Sequence, residues 1–217
     1  MNYFELGKKD LQQVSKINQV LGRKQKLLIH ACCAPCSTFP IEYLQQYFHI
    51  TLYYTNSNIY PESEYQIRLH ELVQYVEKLQ GEGVEIDLVI PEYDNKEYTI
   101  WLSPRKNMRE GQEACFACYK RRLEDTFRYA VEHHYEYVST VMSISRQKNS
   151  RVLNELGDEL SKVYPTVKFL HADFKKKGGQ DRRDELSKDM YKQKYCGCVY
   201  SYMEYLQREE NKKQEHV

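Results

Sequence analysis

The strongest constraint on the fold is a group of three cysteines, Cys32, Cys33 and Cys36, that follows a short apolar run at residues 26–30. The run has the length of a buried strand, and Pro35 prevents it from continuing as a regular strand or helix. The sequence therefore predicts that the three thiols lie in a strand-to-helix turn. In open α/β sheets such turns lie at the carboxyl ends of the strands, where ligands bind.

A helix is expected directly after this turn, with Ser37 or Thr38 as its cap and Pro40 in its first turn. Apolar patterns of strands and helices then alternate along the remaining chain. The predicted strands span residues 27–31, 50–54, 84–90, 137–142 and 167–170. This alternation predicts an α/β fold, a single domain with a doubly wound, mostly parallel sheet of about five strands.

Four segments are expected to lie outside this regular alternation. Residues 1–24 are predicted to form an N-terminal helical extension, and residues 208–217 a charged tail of the single domain 1–217. Residues 91–114 contain punctuating prolines and polar sequence, which predicts an irregular segment. Residues 173–184 are predicted to form a basic, glycine-containing loop.

The bulk composition limits the classes of function. A net charge of +1 gives no global field for a polyanion, so a nucleic-acid surface would have to be a local patch. No apolar stretch approaches the length of a membrane span, and the N-terminus lacks the apolar core of a signal peptide, so we expect a cytoplasmic protein without a membrane partner. The seven cysteines are then better explained as metal ligands or redox thiols than as a disulfide framework.

Two of the cysteine groups are candidates for a shared metal site. Cys115-x-x-Cys118 alone fits half a zinc site, a redox pair or chance, and the adjacent Cys32 and Cys33 are too close for a typical zinc-finger half. An iron–sulfur cluster takes four cysteine sulfurs and accepts them from separate segments. The four thiols together therefore favour such a cluster.

The third group, Cys196-Gly197-Cys198, has a different character and is predicted to lie on the last helical segment. Two cysteines one residue apart can close a small, strained and readily reduced ring, which favours a redox pair, and metal ligation remains the alternative. Cys36 is either a ligand to an extra metal or a buried apolar residue.

Histidines contribute less to the prediction than cysteines. His30 lies inside the first strand, where a packed and hydrogen-bonded role is favoured over metal ligation. His171 and Asp173 follow the fifth predicted strand on the ligand edge and are candidates for the site.

Nucleotide hydrolysis is disfavoured, because the turn after the first strand has no glycine and no Walker pattern. Basic residues nevertheless gather in two places, residues 120–122 and the basic loop. The loop residues expected to contact nucleic-acid phosphates are Lys175, Lys176, Lys177, Arg182 and Arg183. An ordinary solvated loop is the alternative.

Three motifs together carry a family resemblance: HACCAPC, GQEACFACYKRRLEDT and YCGCVYS. In this order they resemble the cobalamin-independent epoxyqueuosine reductase family (QueH). The segments NSNIYPESEYQIR and DFKKKGG are similar to that family as well, so the resemblance covers about residues 25–206. It implies a fold similar to adenine-nucleotide α-hydrolases without their ATP loop.

The resemblance also implies a reaction and its cofactors. The substrate is tRNA carrying epoxyqueuosine, whose epoxide is reduced to give queuosine with electrons from an unidentified donor. The implied ligands of a [4Fe–4S] cluster are Cys32, Cys33, Cys115 and Cys118. Cys196 and Cys198 match a redox-active pair, and Cys36 is a candidate ligand for an additional iron ion.

We therefore expect an oxidoreductase that modifies tRNA. Tyr195, His171 and Asp173 are the candidate proton donors. The rival interpretation is a non-enzymatic module, stapled by zinc or an iron–sulfur cluster, that senses redox state or binds RNA.

Overall fold

Five parallel strands form the centre of the fold in the computed structural model, which describes residues 2–108 and 111–215. The strands are β1 (Gln25–His30), β2 (Phe48–Tyr53), β3 (Ile86–Val89), β4 (Tyr137–Thr140) and β5 (Lys168–Phe169). They lie in the order β3-β2-β1-β4-β5, and each neighbouring pair is parallel. The predicted fold class is thereby confirmed.

The helices of the described residues surround this sheet. They are α1 (Tyr3–Leu21), α2 (Ala34–Leu44), α3 (Glu62–Gly81), α4 (Asn95–Leu102), α5 (Glu113–Glu132), α6 (Ser150–Val163), α7 (Gly179–Leu186) and α8 (Val199–Glu215). Within this part of the chain no helix has the length and apolarity that a membrane crossing would require.

Alternation along β1 divides the core into two layers. Leu27 and Ile29 belong to one apolar cluster, together with side chains of α1, α2 and α3. Leu28 points to the opposite cluster, which contains side chains of α5 and α6. Because successive side chains of a strand face opposite sides, a strand covered on both faces is apolar throughout, which explains the continuous run in the sequence.

The strand order places a switch point between β1 and β4. The chain moves from β1 to β2 on one side of the sheet and later adds β4 on the other side. The turn after β1 and the loop after β4 therefore lie side by side at the carboxyl edge, which is the usual ligand-binding position of such sheets.

The start of α2 corrects one prediction. The helix begins at Ala34 with Cys33 at the N-cap, so Ser37 and Thr38 lie inside it and do not cap it. Their hydroxyls donate to backbone oxygens of Cys33 and Pro35, at 2.9 and 3.1 Å. A Ser or Thr that bonds back to the preceding turn is compatible with a helix interior, and Pro35 needs no amide hydrogen in the first turn.

Two segments predicted to be irregular contain helices. Residues 91–114 include α4, which begins where Asp94 accepts a hydrogen bond from the Glu97 amide at 2.8 Å, and a short 3₁₀ turn, Ser103–Arg105. The basic loop likewise ends in α7, which follows Gly178 in the left-handed conformation. Of the predicted charged tail, the residues up to Glu215 continue α8, and residues 216–217 lie outside the described residues.

Helix α1 packs closely against the segment that follows β5. Leu11 and Val14 are buried in the core, and a Cβ atom at Gly7 would lie 2.3 Å from the His171 carbonyl oxygen. The glycine therefore permits a backbone approach that no other residue allows at this position. His171 also joins α1 to α6, because its Nδ1 lies 2.7 Å from Asp10 and its Nε2 2.8 Å from Asp158.

This histidine makes the stability of the fold depend on pH. Burial lowers the pKa of His171, but its hydrogen bonds to Asp10 and Asp158 outweigh burial and raise it above the ordinary value. Its contribution is present below the unfolded pKa of about 6.5 and is lost as pH rises through the folded pKa. We expect the free energy of unfolding to fall more for the wild type than for His171→Asn over this rise in pH. Urea unfolding measures the difference when it is carried out once below about pH 6.5 and once above the folded pKa.

His49 provides the matched control. Its Nε2 lies 2.8 Å from Asp87, but the two side chains are 39% and 60% exposed, so solvent screens the pair. His49→Asn should therefore retain the pH dependence of the wild type. Equal effects of both variants would show that His171 has no special role.

Candidate functional site

The three cysteines after β1 converge on one point. The Sγ atoms of Cys32, Cys33 and Cys36 all lie within 4.8 Å of one another, and all three residues are buried. Cys33 ends the turn at the N-cap of α2, and Cys36 lies one helical turn later. Because residues three apart share a helix face, this spacing directs both thiols to the same side. The group, called here the first thiol group, can therefore hold a metal ion.

The three thiols of the first thiol group shift one another's pKa values. Hydrogen bonds from Cys33 and Cys36 hold the pKa of the Cys32 thiol well below its usual range, with help from the Lys148 and Arg122 cations. The Cys32 contact in turn raises the pKa of Cys33 and raises that of Cys36 to about 12. A cation bound to all three sulfurs would favour the deprotonated forms together.

A second thiol group lies in an adjoining pocket. Cys115 and Cys118, in the first turns of α5, line this pocket together with Cys196 and Cys198. The Cys118 sulfur accepts a hydrogen bond from the Tyr98 hydroxyl at 3.2 Å. Burial raises the pKa of Cys115 to about 12 and raises that of Cys198. The structure thus brings together the cysteines of the second and third sequence motifs.

The Cys196–Cys198 turn precedes α8, so the prediction that these cysteines lie on the last helix is wrong. Gly197 has a φ of +142°, a value that residues with a side chain rarely adopt. This φ is incompatible with an α-helix, so the helix cannot include Gly197. Its carbonyl accepts from the Tyr60 amide at 2.8 Å, and its amide donates to the Ser201 hydroxyl at 3.1 Å. The turn is therefore fixed to the β2–α3 connection and to α8.

Arg68 of α3 binds the backbone of the same turn. Its guanidinium is 1% exposed and donates to the carbonyl oxygens of Cys196 and Tyr195, at 3.0 and 3.1 Å. Glu64, one helical turn earlier, accepts from Arg68 Nε at 2.8 Å and balances the charge. A buried arginine with all these partners orients the backbone of the cysteine turn.

Arg122 of α5 connects the two thiol groups. Its Nε donates to His30 Nε2 at 3.1 Å, and its terminal nitrogen donates to the Asn56 side chain at 2.6 Å. Because Nε2 accepts, His30 carries its proton on Nδ1 and donates to the Thr140 hydroxyl at 3.0 Å. Burial and Arg122 lower the pKa of His30, which keeps the ring neutral, so His30 has the packed role expected for it.

Lys148 is a functional candidate that sequence reasoning missed. It follows β4, is 8% exposed, and places its Nζ 3.6 Å from the Cys196 sulfur. Burial lowers its pKa, but the charges of Cys196 and Cys32 outweigh burial and raise it. Lys148 therefore places a cation between the two thiol groups. A lysine in a polar loop gives no sequence signal of burial, so only the fold shows this position.

Asn58 is a second such residue. Its side chain lines the thiol pocket and is 2% exposed, yet its Oδ1 has no hydrogen-bond partner among residues 2–108 and 111–215. Buried amide oxygens are normally paired, because an unpaired one costs free energy. An unpaired amide in a pocket with four thiols is suited to a bound group that supplies the missing partner.

The residues described as lining the thiol pocket include none of the three candidate proton donors. His171 bonds to Asp10 and Asp158 and is not among the pocket-lining residues. The Oδ1 of Asp173 is buried, lies 3.8 Å from Lys175 Nζ and accepts no hydrogen bond from the described residues. Tyr195 adjoins Cys196, and its hydroxyl donates to the Tyr60 carbonyl at 2.7 Å.

Several cationic side chains of the basic loop bind other groups of the protein. Lys175 donates to the carbonyls of Ser145 and Lys148, at 3.3 and 2.9 Å, and so supports the Lys148 loop. Arg182 pairs with Glu42 and Glu185, and Arg183 pairs with Asp184. Lys176 and Lys177 are exposed.

A doubly wound parallel sheet with a buried group of three thiols at its carboxyl edge defines an α/β protein with a thiol site able to hold a metal. Thiolate donors suit soft metals and iron–sulfur clusters. The family model described as "Epoxyqueuosine reductase QueH" matches residues 27–204, and the chain belongs to this family of oxidoreductases. The resemblance seen in the sequence motifs is confirmed.

Individual relatives extend the match over most of the chain. The epoxyqueuosine reductase QueH of Streptococcus pyogenes serotype M1 is 38% identical over 194 residues, which cover 88% of this chain and 76% of the relative. The protein of the same name from Staphylococcus epidermidis is 37% identical, with 84% and 78% covered. That of Thermotoga maritima is 32% identical, with 82% and 91% covered.

We predict that Arg68→Met loosens the cysteine turn. Loss of the guanidinium leaves the carbonyls of Tyr195 and Cys196 without donors and Glu64 without its cation, which should cost about 3 kcal/mol of stability or more. In the reduced protein, iodoacetamide should then alkylate Cys196 and Cys198 several-fold faster, as measured by mass spectrometry of the peptide.

Arg146→Met is the control, because Arg146 is 67% exposed and makes only a surface pair with Asp184 at 3.5 Å. It should leave the alkylation rates unchanged. Wild-type rates in Arg68→Met would exclude a role for Arg68 in fixing the turn.

Proposed function

We propose that this protein reduces epoxyqueuosine in tRNA to queuosine. The observation that supports the proposal most is that the cysteines of all three family motifs lie at one edge of the sheet, inside the family-matched residues. The family match also argues against the rival interpretation of a non-enzymatic metal-stapled module. The cytoplasm is the compartment in which we place the reaction.

The proposed ligands of a [4Fe–4S] cluster are Cys32, Cys33, Cys115 and Cys118. Support comes from Arg122. Burial lowers the pKa of its guanidinium, but the nearby Cys118 and Cys32 outweigh burial and raise it. Both cysteine segments therefore lie near one cation. Four cysteine thiols, three of them buried, match the donor set of such a cluster. When bound, the cluster supplies electrons one at a time. The nearness of Cys36 to Cys32 and Cys33 supports it as a ligand for an additional iron ion.

The proposed redox pair, Cys196 and Cys198, balances the reaction. Conversion of an epoxide to an alkene breaks two C–O bonds, forms one C=C bond and releases water, which consumes two electrons and two protons. Oxidation of two thiols to a disulfide releases the same numbers. A donor that remains to be identified would then reduce the disulfide.

Lys148 and Arg68 have distinct parts in this proposal. Lys148 holds a proton and a positive charge 3.6 Å from the Cys196 sulfur, where it stabilises a thiolate during exchange. Arg68 fixes the backbone of the turn through the Cys196 carbonyl. Both cations are buried, so water competes little for their interactions.

Lys176 and Lys177 are the members of the basic loop that we propose as phosphate contacts, because their side chains are exposed. Lys175, Arg182 and Arg183 contribute positive charge to the same surface while they also bind within the protein.

The cluster proposal predicts a loss of iron on ligand substitution. Cys32→Ser, Cys33→Ser, Cys115→Ser and Cys118→Ser should each lose most of the iron and sulfide after anaerobic purification, because a hydroxyl is a poor ligand for iron in a thiolate site. Iron analysis and visible absorption measure this. Full iron in all four variants would refute the ligand assignment.

The redox proposal predicts a different outcome for the third motif. Cys196→Ser or Cys198→Ser should leave iron near the wild-type level and thermal stability nearly unchanged, while turnover of epoxyqueuosine-containing tRNA falls at least about 100-fold, since exchange requires both sulfurs. Nucleoside analysis of the digested tRNA measures turnover.

The wild-type protein in this assay also tests the proposed function. It should convert epoxyqueuosine to queuosine with a chemical reductant. An iron-loaded wild type that releases no queuosine would overturn the proposed function. Parallel loss of iron and turnover in the two variants would instead assign Cys196 and Cys198 as ligands.

A further inference from the structure

An aromatic and cationic surface adjoins the thiol pocket. Its members, called here the Trp101 surface, are Tyr98 and Trp101 of α4, Arg105 of the following 3₁₀ turn, and Arg121 of α5. The Arg121 guanidinium carbon lies 4.7 Å from the Tyr98 ring centroid and 4.6 Å from that of Trp101. The Arg105 carbon lies 5.4 Å from the Trp101 centroid. Tyr98 is buried beneath the group, and the other three side chains are partly exposed.

The Trp101 surface and the thiol pocket share residues. Arg105 lines both the pocket and the cleft that contains Trp101. Tyr98 contacts Arg121 on the surface and donates to the Cys118 sulfur inside. The thiol pocket and the cleft that contains Trp101 are therefore neighbours, with Arg105 in the wall of both.

The cleft that contains Trp101 carries a cation, Arg105, that an anionic partner can bind. Its lining contains four cationic side chains, Arg105, Lys120, Arg121 and Arg128, and two carboxylates, Glu124 and Asp125. Arg121 is paired with Glu97 at 2.5 Å, Arg128 is paired with Asp125, and Lys120 lies 3.6 Å from Glu159. Arg105 has no ion pair with any residue in the described ranges, so its charge is available for a phosphate.

The pocket itself points to a polar ligand. The unpaired Oδ1 of Asn58 lies in the pocket lining, buried, among the thiols. This observation is independent of the Trp101 surface. A base or modified side group with a hydrogen-bond donor would satisfy it, whereas an apolar ligand would not.

We propose that the Trp101 surface stacks an unpaired RNA nucleotide that neighbours the one whose base enters the thiol pocket. The inference rests on the proposed function, because it takes a tRNA loop as the occupant. An enzyme that acts on a base inside a loop must remove that base from its stack, and the neighbouring nucleotide then needs a new stacking partner. Aromatic rings and guanidinium planes are the side chains that supply it, and Arg105 reaches the adjoining phosphate.

The chain contains a single tryptophan, so its fluorescence reports on this surface alone. Titration of the anaerobically purified full chain with an unmodified RNA stem-loop of anticodon-arm size should quench the emission. A blunt RNA duplex of equal charge should not, because its bases are unavailable for stacking. Equal quenching by both RNAs would overturn the proposal.

Substitutions separate stacking from charge. Trp101→Ala should weaken binding of the fluorescein-labelled stem-loop about tenfold in anisotropy, with the salt dependence unchanged. Trp101→Phe should recover most of the affinity. Arg105→Gln should reduce the slope of log affinity against log salt by about 0.7. Ile100→Ala is the control, because Ile100 is 64% exposed on the same helix and should bind as the wild type does.

The outcomes distinguish this inference from the proposed function. Affinity of Trp101→Ala within twofold of the wild type, or an unchanged slope in Arg105→Gln, would exclude nucleotide stacking at the Trp101 surface. Turnover by the wild type would in that case still support the reductase proposal. If Trp101→Ala does not fold, the fluorescence titration of the wild type and the salt slope of Arg105→Gln give the decision. A wild type that binds no stem-loop RNA but reduces the epoxide in tRNA would also overturn the surface.

Discussion

The arrangement of the site depends on one buried cation, Arg122. From α5 it reaches the carboxyl end of β1 through His30 and the β2–α3 connection through Asn56. Asn56 in turn donates to the Ala31 carbonyl at 2.7 Å, directly before the first thiol. The helix that carries Cys115 and Cys118 and the turn that carries Cys32 and Cys33 are thus held by a single hydrogen-bond network, and the distance between them is fixed by its bonds.

Buried positive charge is the common feature of the thiol site. Arg68, Arg122 and Lys148 are each less than a tenth exposed, and each lies beside cysteine sulfur or cysteine backbone. Such charges are costly to bury unless negative groups accompany them. Glu64 supplies that negative charge beside Arg68, and the Cys32 thiol, whose pKa is held well below its usual range, supplies it beside Arg122 and Lys148. These buried cations therefore favour the deprotonated form of Cys32, which is the form that binds metals and exchanges disulfides.

The sequence predicts the framework of the molecule well, because apolar runs and stripes report directly on burial. The turn after β1 is an example, since an uninterrupted apolar strand before Pro35 leaves little choice of structure. Helix α4 escaped prediction because its buried face consists of only Tyr98 and Leu102, too short a stripe to recognise between prolines. The burial of Lys148 depends on the neighbouring strand order, which no local pattern contains.

The third thiol segment follows the other two much later in the sequence. This order has a consequence for synthesis on the ribosome. The first two segments emerge early and belong to elements that pack around β1 and α5. Arg68 emerges with them, but the carbonyls of Tyr195 and Cys196 that it binds follow 127 and 128 residues later. Until then its charge has only Glu64 as a partner. The nascent chain therefore passes through a stage in which the first thiol group exists without the pair beside it.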